Sequence, residues 1–218
     1  MTTAPPKTLR LTYLDVPGVA ESTRLALRVA NIAFEDVRVS YDDVGAMRDA
    51  GKLPFGQVPI LEFIDENGVT TSGPFGQSGA TLRYAGMLGG LYPLEPDVML
   101  EVEQVLGGLK DIAVTLNPLW YSNVLPRLPT NGSLLPETSI NAPQRDAVQT
   151  AVNAVILPTR LAQLERVAQA AKESATARGE TGPYLVGSRL SVADLELFVV
   201  LNGLIDGSYC AEVDSVKL

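Results

Sequence analysis

Hydrophobic periodicity changes character near residue 90, and this change constrains the fold more than any other feature of the chain. Before it, short segments alternate between a two-residue and a three-to-four-residue period; beyond it only the helical period survives. Residues 8–14 (TLRLTYL) alternate apolar and polar, as a half-buried strand does. Pro17-Gly18 makes a turn, after which Ala20, Thr23, Leu27 and Ala30 recur near helical spacing. Residues 34–40 read as a second strand, 42–52 as a short polar helix with a loop, and 58–64 as a strand headed by Pro59. Asp65-Glu-Asn-Gly68 is a hairpin turn, Val69 to Thr71 begin the returning strand, and Gln77 to Leu88 is helical in pattern. The order βαβαββα over residues 1–88 predicts an α/β module with a mixed sheet.

Residues 89–97 read as a linker, and 98–218 as a helical domain. Val98, Val102, Val105, Leu106, Leu109 and Ile112 recur at mostly three- and four-residue intervals, so a long amphipathic helix is expected over 97–116. Residues 117–143 carry prolines at 118, 126, 129, 136 and 143 and no sustained helical period, which predicts a long loop. Gln144 to Ala177 reads as a second long helix, with Gly179 and Gly182-Pro183 marking its exit. Ser191 followed by Asp194 resembles a capping box and opens a last helix through Leu204.

Composition removes whole classes of chemistry. The 218 residues contain no histidine, which excludes Ser-His-Asp and Cys-His mechanisms, histidine bases and most zinc sites. No metal and no resident cofactor are therefore expected, and neither a GxGxxG nor a P-loop occurs. The one cysteine, Cys210, can form neither an internal disulfide nor a CxxC pair, which suits a reducing cytosol. Seventeen basic against 25 acidic residues give a net charge of −8, so nucleic acid and anionic membranes are poor partners. The chain has neither a signal-like start nor a membrane-length apolar run, and a cytoplasmic location is expected.

Acid–base chemistry then falls to Tyr, Lys, Asp and Glu. Tyr13 ends the first strand just before a helix, and the carboxyl ends of strands are where α/β sheets hold ligands. It could equally pack between sheet and helix. In Pro54-Phe-Gly-Gln-Val-Pro59 the Val58–Pro59 bond could be cis, leaving a backbone edge on which a peptide can pair; an ordinary trans turn is the alternative. Gln77-Ser78 opens a helix whose free N–H groups attract a carboxylate, although a serine there also serves as a simple cap.

In their order and spacing these pieces resemble a cytosolic glutathione transferase, most closely the sigma class. The matching text is Leu11-Thr-Tyr-Leu14, Gly18-x-Ala20-Glu21 with Arg24, Pro54 to Leu61, Gln77-Ser78-x-Ala80-x-Leu82-Arg83-Tyr84, Leu91-Tyr-Pro93 and Ser191-x-Ala193-Asp194. The resemblance implies a thioredoxin-like N-terminal domain followed by an all-helical one. Where thioredoxins carry CxxC, this chain has Asp15 to Val19, so dithiol chemistry is excluded. By resemblance, Tyr13 would donate a hydrogen bond to the sulfur of glutathione, the co-substrate. Val58, ahead of a cis Pro59, would pair with its cysteinyl part, and Gln77 and Ser78 would hold the γ-glutamyl carboxylate. Arg48 or Lys52 would meet the glycine carboxylate, with Gln57 alongside.

Asp111 aligns with an acid that reaches the γ-glutamyl amine across a homodimer, into whose partner Phe55 could insert. Leu14, Val19, Trp120 and Tyr121 would line a pocket for small apolar electrophiles. The implied activity is conjugation of glutathione to such electrophiles. Glutathione-dependent isomerisation or peroxide reduction, or a non-catalytic binding role, are the alternatives. Three departures stand out. Many sigma members carry arginine at Val19 and tryptophan near Val44; the 117–143 segment is longer than usual; and only 24 residues follow Asp194.

Overall fold

The computed structural model describes residues 8–124 and 142–207, and it divides into two compact units, Met1–Leu91 and Tyr92–Leu218. The first runs β1 (Thr8–Leu14), a 3-10 turn (Gly18–Ala20), α1 (Glu21–Val29), β2 (Phe34–Val39), α2 (Tyr41–Asp49), β3 (Ile60–Ile64), β4 (Thr70–Gly76) and α3 (Ser78–Gly89). The strands form one sheet in the order β2-β1-β3-β4. The β1–β2 pair is parallel and the other two pairs are antiparallel. This is the βαβαββα order of a thioredoxin-like domain.

Strand alternation assigns the two faces of that sheet. Leu9, Leu11 and Tyr13 point to one side, where α1 and α3 pack; the ring of Tyr84 on α3 meets Phe63 of β3 edge-on at 5.7 Å. Leu14 and Val39 point to the other side, where they join Val44, Met47, Leu53, Val58 and Ile60 in a second cluster under α2. Helix α2 is mostly polar, and its first turn is fixed by a capping box. The Ser40 N–H donates to Asp43 Oδ2 at 2.9 Å, and the Asp43 N–H donates to Ser40 Oγ at 3.1 Å. One apolar turn, Val44 with Met47, is what docks the helix on the sheet.

The regular elements described in the second unit are all helical: α4 (Pro96–Val124), α5 (Ala142–Ala151), a π-helical turn (Val152–Ile156), α6 (Leu157–Ala177) and α7 (Val192–Ile205). Helix α4 corrects the sequence reading, which ended it near residue 116 and began a loop at 117. It runs on through Pro118 to Val124. A proline inside a helix costs about 3 kcal/mol. Leu116 and Leu119, on either side of it, are fully buried, and that burial offsets the cost. Pro126, Pro129 and Pro136 lie outside the described residues.

The second long helix is interrupted where Pro158 lacks the N–H that would bond to Ala154. The ladder widens there, and the Leu157 N–H donates to the Val152 carbonyl, five residues back. Glu101 ties α4 to α6: it accepts from both Arg178 guanidinium nitrogens, Nη1 at 2.9 Å and Nη2 at 3.0 Å, and from Ser174 Oγ. The Arg178 hydrogen bonds hold the Glu101 carboxyl below its ordinary range despite partial burial. At α7 the Asp194 carboxylate accepts from the backbone N–H of Ser191 at 2.9 Å and from that of Leu185 at 2.8 Å. It therefore ties the incoming loop to the helix start as well as capping it. No helix among the described residues is long and apolar enough to cross a membrane.

Candidate functional site

Three strand ends meet at one edge of the sheet. Thr12 of β1 is paired with Ile60 of β3, and Ile60 with Gly76 of β4. One step further along each strand, in the same direction, come Tyr13, Pro59 and Gln77. The register thus gathers at one edge three residues that are 18 to 64 positions apart in the chain. The Val58–Pro59 peptide is cis, and Val58 stands just outside the ladder that begins at Ile60. Gln77 adopts φ 76° and ψ 110°, a backbone conformation rare for a residue with a side chain. Such conformations concentrate at ligand sites. Ser78 is the first residue of α3, whose free N–H groups open at this edge. The Thr81 hydroxyl donates to the Ser78 carbonyl at 2.9 Å and accepts from Thr23 of α1 at 3.0 Å, so the opening turn of α3 is fastened to its neighbour.

Tyr13 is buried, 8 % exposed, on the α1 side of the sheet. Its hydroxyl lies against Gly18, where the 3-10 turn leads into α1. Gly18 has φ 45°, and a Cβ there would fall 2.6 Å from Tyr13 Oη and 2.8 Å from Cε1. Only glycine fits, for reasons of both conformation and space. Gly18→Ala is expected to destabilise the protein by about 1–3 kcal/mol, because the strained turn and the displaced ring both count. A thermal melt of the variant checks this.

Below Tyr13 sits Arg24, fully buried. Its Nη1 donates to the carbonyls of Val16 at 3.0 Å and Pro17 at 3.1 Å and to Glu21 Oε2 at 3.0 Å, while its Nε donates to Asp36 Oδ1 at 3.1 Å. The guanidinium carbon stands 5.6 Å from the centre of the Tyr13 ring, a cation–π distance. At Asp36, burial works to raise the carboxyl, but the hydrogen bonds from Arg38 and Arg24 outweigh it and hold the group below its ordinary 3.8. In the sequence Arg24 stands only as part of the matching text, with no role attached. Its spacing, four after Ala20 and three before Leu27, puts it on the buried face of α1, and that was the available signal.

The remaining candidates are scattered. Gln57 is exposed and Lys52 is exposed at the end of the α2 loop. Arg48 spends its Nε–H on the Gly56 carbonyl at 2.8 Å, bracing the loop that leads to Pro59. Leu14 packs into the cluster beneath α2, and Val19 is 43 % exposed beside Gly18. Asp111, on α4 of the second unit, faces Arg160 of α6 at 3.6 Å. Trp120 and Tyr121 fall near the end of α4, and their side chains lie outside the described residues.

Comparison with known proteins agrees with this architecture. Residues 139–217 match the family model described as glutathione S-transferase, C-terminal domain. The chain is 31% identical over 195 residues to glutathione S-transferase P of Caenorhabditis elegans, covering 89% of this chain and 76% of that one. Among solved structures it is similar to the glutathione S-transferase from Ascaris lumbricoides, with a TM-score of 0.62 and 26% identity over 93% of this chain and 82% of that one. A sigma class GST of Fasciola hepatica has a TM-score of 0.67 at 22% identity, covering 92% and 80% of the two chains, a likeness of fold. The chain belongs to the glutathione S-transferase family, and it is a transferase.

Proposed function

We propose that the chain binds glutathione at the edge where Tyr13, Pro59 and Gln77 meet, and conjugates its sulfur to small apolar electrophiles. The observation that carries this reading is the pairing register Thr12–Ile60–Gly76, which brings the three segments together. Tyr13 is the catalytic residue: its hydroxyl donates to the sulfur and favours the thiolate. The first N–H groups of the helical segment beginning at Gly18 add positive potential beside it. Val58 pairs its backbone with the cysteinyl unit. Gln77, Ser78 and the N-terminus of α3 take the γ-glutamyl carboxylate. Arg48 or Lys52 takes the glycine carboxylate with Gln57; the Nε–H that Arg48 gives to Gly56 leaves the guanidinium its other donors. Val19, exposed beside Gly18, is the acceptor-side candidate of the first unit. In this reading the protein is a cytoplasmic homodimer of sigma-class type. Phe55, 57 % exposed, is the residue that inserts into the partner, and Asp111 reaches the partner's glutathione.

Retention on immobilised glutathione together with turnover of chlorodinitrobenzene is the expected result. Retention without turnover of chlorodinitrobenzene, organic peroxides or isomerisable substrates would favour a binding protein. Failure of both would remove the reading.

A further inference from the structure

We infer that Arg24 is a positioning residue for Tyr13, fixing where the phenol hydroxyl points. The inference rests on the glutathione reading above and concerns how its reacting hydroxyl is held. Arg24 reaches the tyrosine on two sides. Its guanidinium lies over the aromatic ring, the carbon 5.6 Å from the ring centre. Its Nη1 also pins the Val16 and Pro17 carbonyls, and the next residue, Gly18, forms the wall against Tyr13 Oη. The remaining nitrogen, Nη2, is buried with no hydrogen-bond partner among the described residues. A buried guanidinium N–H left without an acceptor is costly, and the π-face of Tyr13 is the electron-rich surface beside this group.

The rest of the guanidinium is held by Glu21 and Asp36, which come from α1 and β2. Ring, loop and hydroxyl wall therefore share one anchor, itself fixed to both elements that flank the first strand. A lysine keeps the charge but presents one compact ammonium, which cannot hold two carbonyls and two carboxylates in a planar fork. Small displacements of a reacting group are expensive in rate, while substrate contacts on other elements are untouched.

The test is a double-mutant cycle on the full chain with glutathione and chlorodinitrobenzene. Arg24→Lys should lower kcat about tenfold and leave the KM for glutathione within about twofold. In a Tyr13→Phe background the same substitution should cost less than about twofold, because residues that act through one another are not additive. An equal loss in both backgrounds, or a raised KM with kcat unchanged, overturns the inference. If Arg24→Lys does not fold, Glu21→Gln takes one partner off the guanidinium. The expected signature is a loss of about two- to fivefold that vanishes in the Tyr13→Phe background, and its persistence there is contrary evidence. Full activity of Tyr13→Phe alone would instead remove the catalytic reading, and the inference with it.

Discussion

Tyr13→Phe should leave retention on immobilised glutathione nearly intact and lower kcat by about one to two decades. A free thiol with a pKa near 8.5 is only a few per cent thiolate at neutral pH, and moving it down by about 2 units takes roughly 2.7 kcal/mol. One hydrogen bond to a charged acceptor is worth about 1.5–3 kcal/mol, which converts to that loss of rate. Phenylalanine preserves the ring, so its contact with the Arg24 guanidinium survives. Affinity survives too, because the proposed glutathione contacts belong to Val58, Gln77 and Ser78. Steady-state kinetics at saturating glutathione measures the effect. A variant with unchanged kcat would mean the hydroxyl plays no part in activating sulfur.

Arg24→Met carries the largest expected cost in stability. The side chain has no exposed surface, and its loss leaves Glu21, Asp36 and the Val16 and Pro17 carbonyls without a shared donor. Removing one partner of a buried ion pair costs about 3–5 kcal/mol. For a chain of this size the lower figure corresponds to a fall of about 6–12 °C in Tm. Arg28 is the internal control. It is 61% exposed and stands 3.7 Å from the same Asp36, so Arg28→Ala should change stability by less than about 1 kcal/mol. Melts on one batch of each protein check both. The acid side gives an independent reading. Because the folded Asp36 carboxyl titrates below its ordinary 3.8, its contribution is complete above that value and is lost as pH falls through the lower one. Arg24→Met should therefore flatten the loss of stability in strong acid.

The alternation of strands and helices before residue 90 was legible because each segment has one exposed face and one buried face. Leu9, Leu11 and Tyr13 sit on one side of β1 in both pattern and structure. The Ser191–Asp194 cap was legible because it is local chemistry confined to four residues. Register was not. Nothing in the spacing of Thr12, Ile60 and Gly76 announces that they are paired, so the proposed site emerged only through family resemblance until the sheet was in hand. Arg24 escaped because a charged residue on a helix ordinarily reads as a solvated one. Four acceptors drawn from three separate segments make it a buried one. Helix α4 was cut short by the local rule for proline, which weighs nothing against the buried leucines on either side.

The widened turn at Val152–Ile156 has a consequence for how this helical arm could change over time. Val152 and Leu157 are five residues apart, and in an unbroken α-helix they would lie about 140° from each other around the axis. Both are buried, 0 % and 3 % exposed, since the extra residue in the turn takes up the mismatch. The arm behaves as two helices spliced with one residue too many, each phased to its own apolar surroundings. A single-codon deletion within the splice would close the widened turn and leave both flanking helices in their present phase, so Leu164, Ala171 and Ala175 would keep the core they fill.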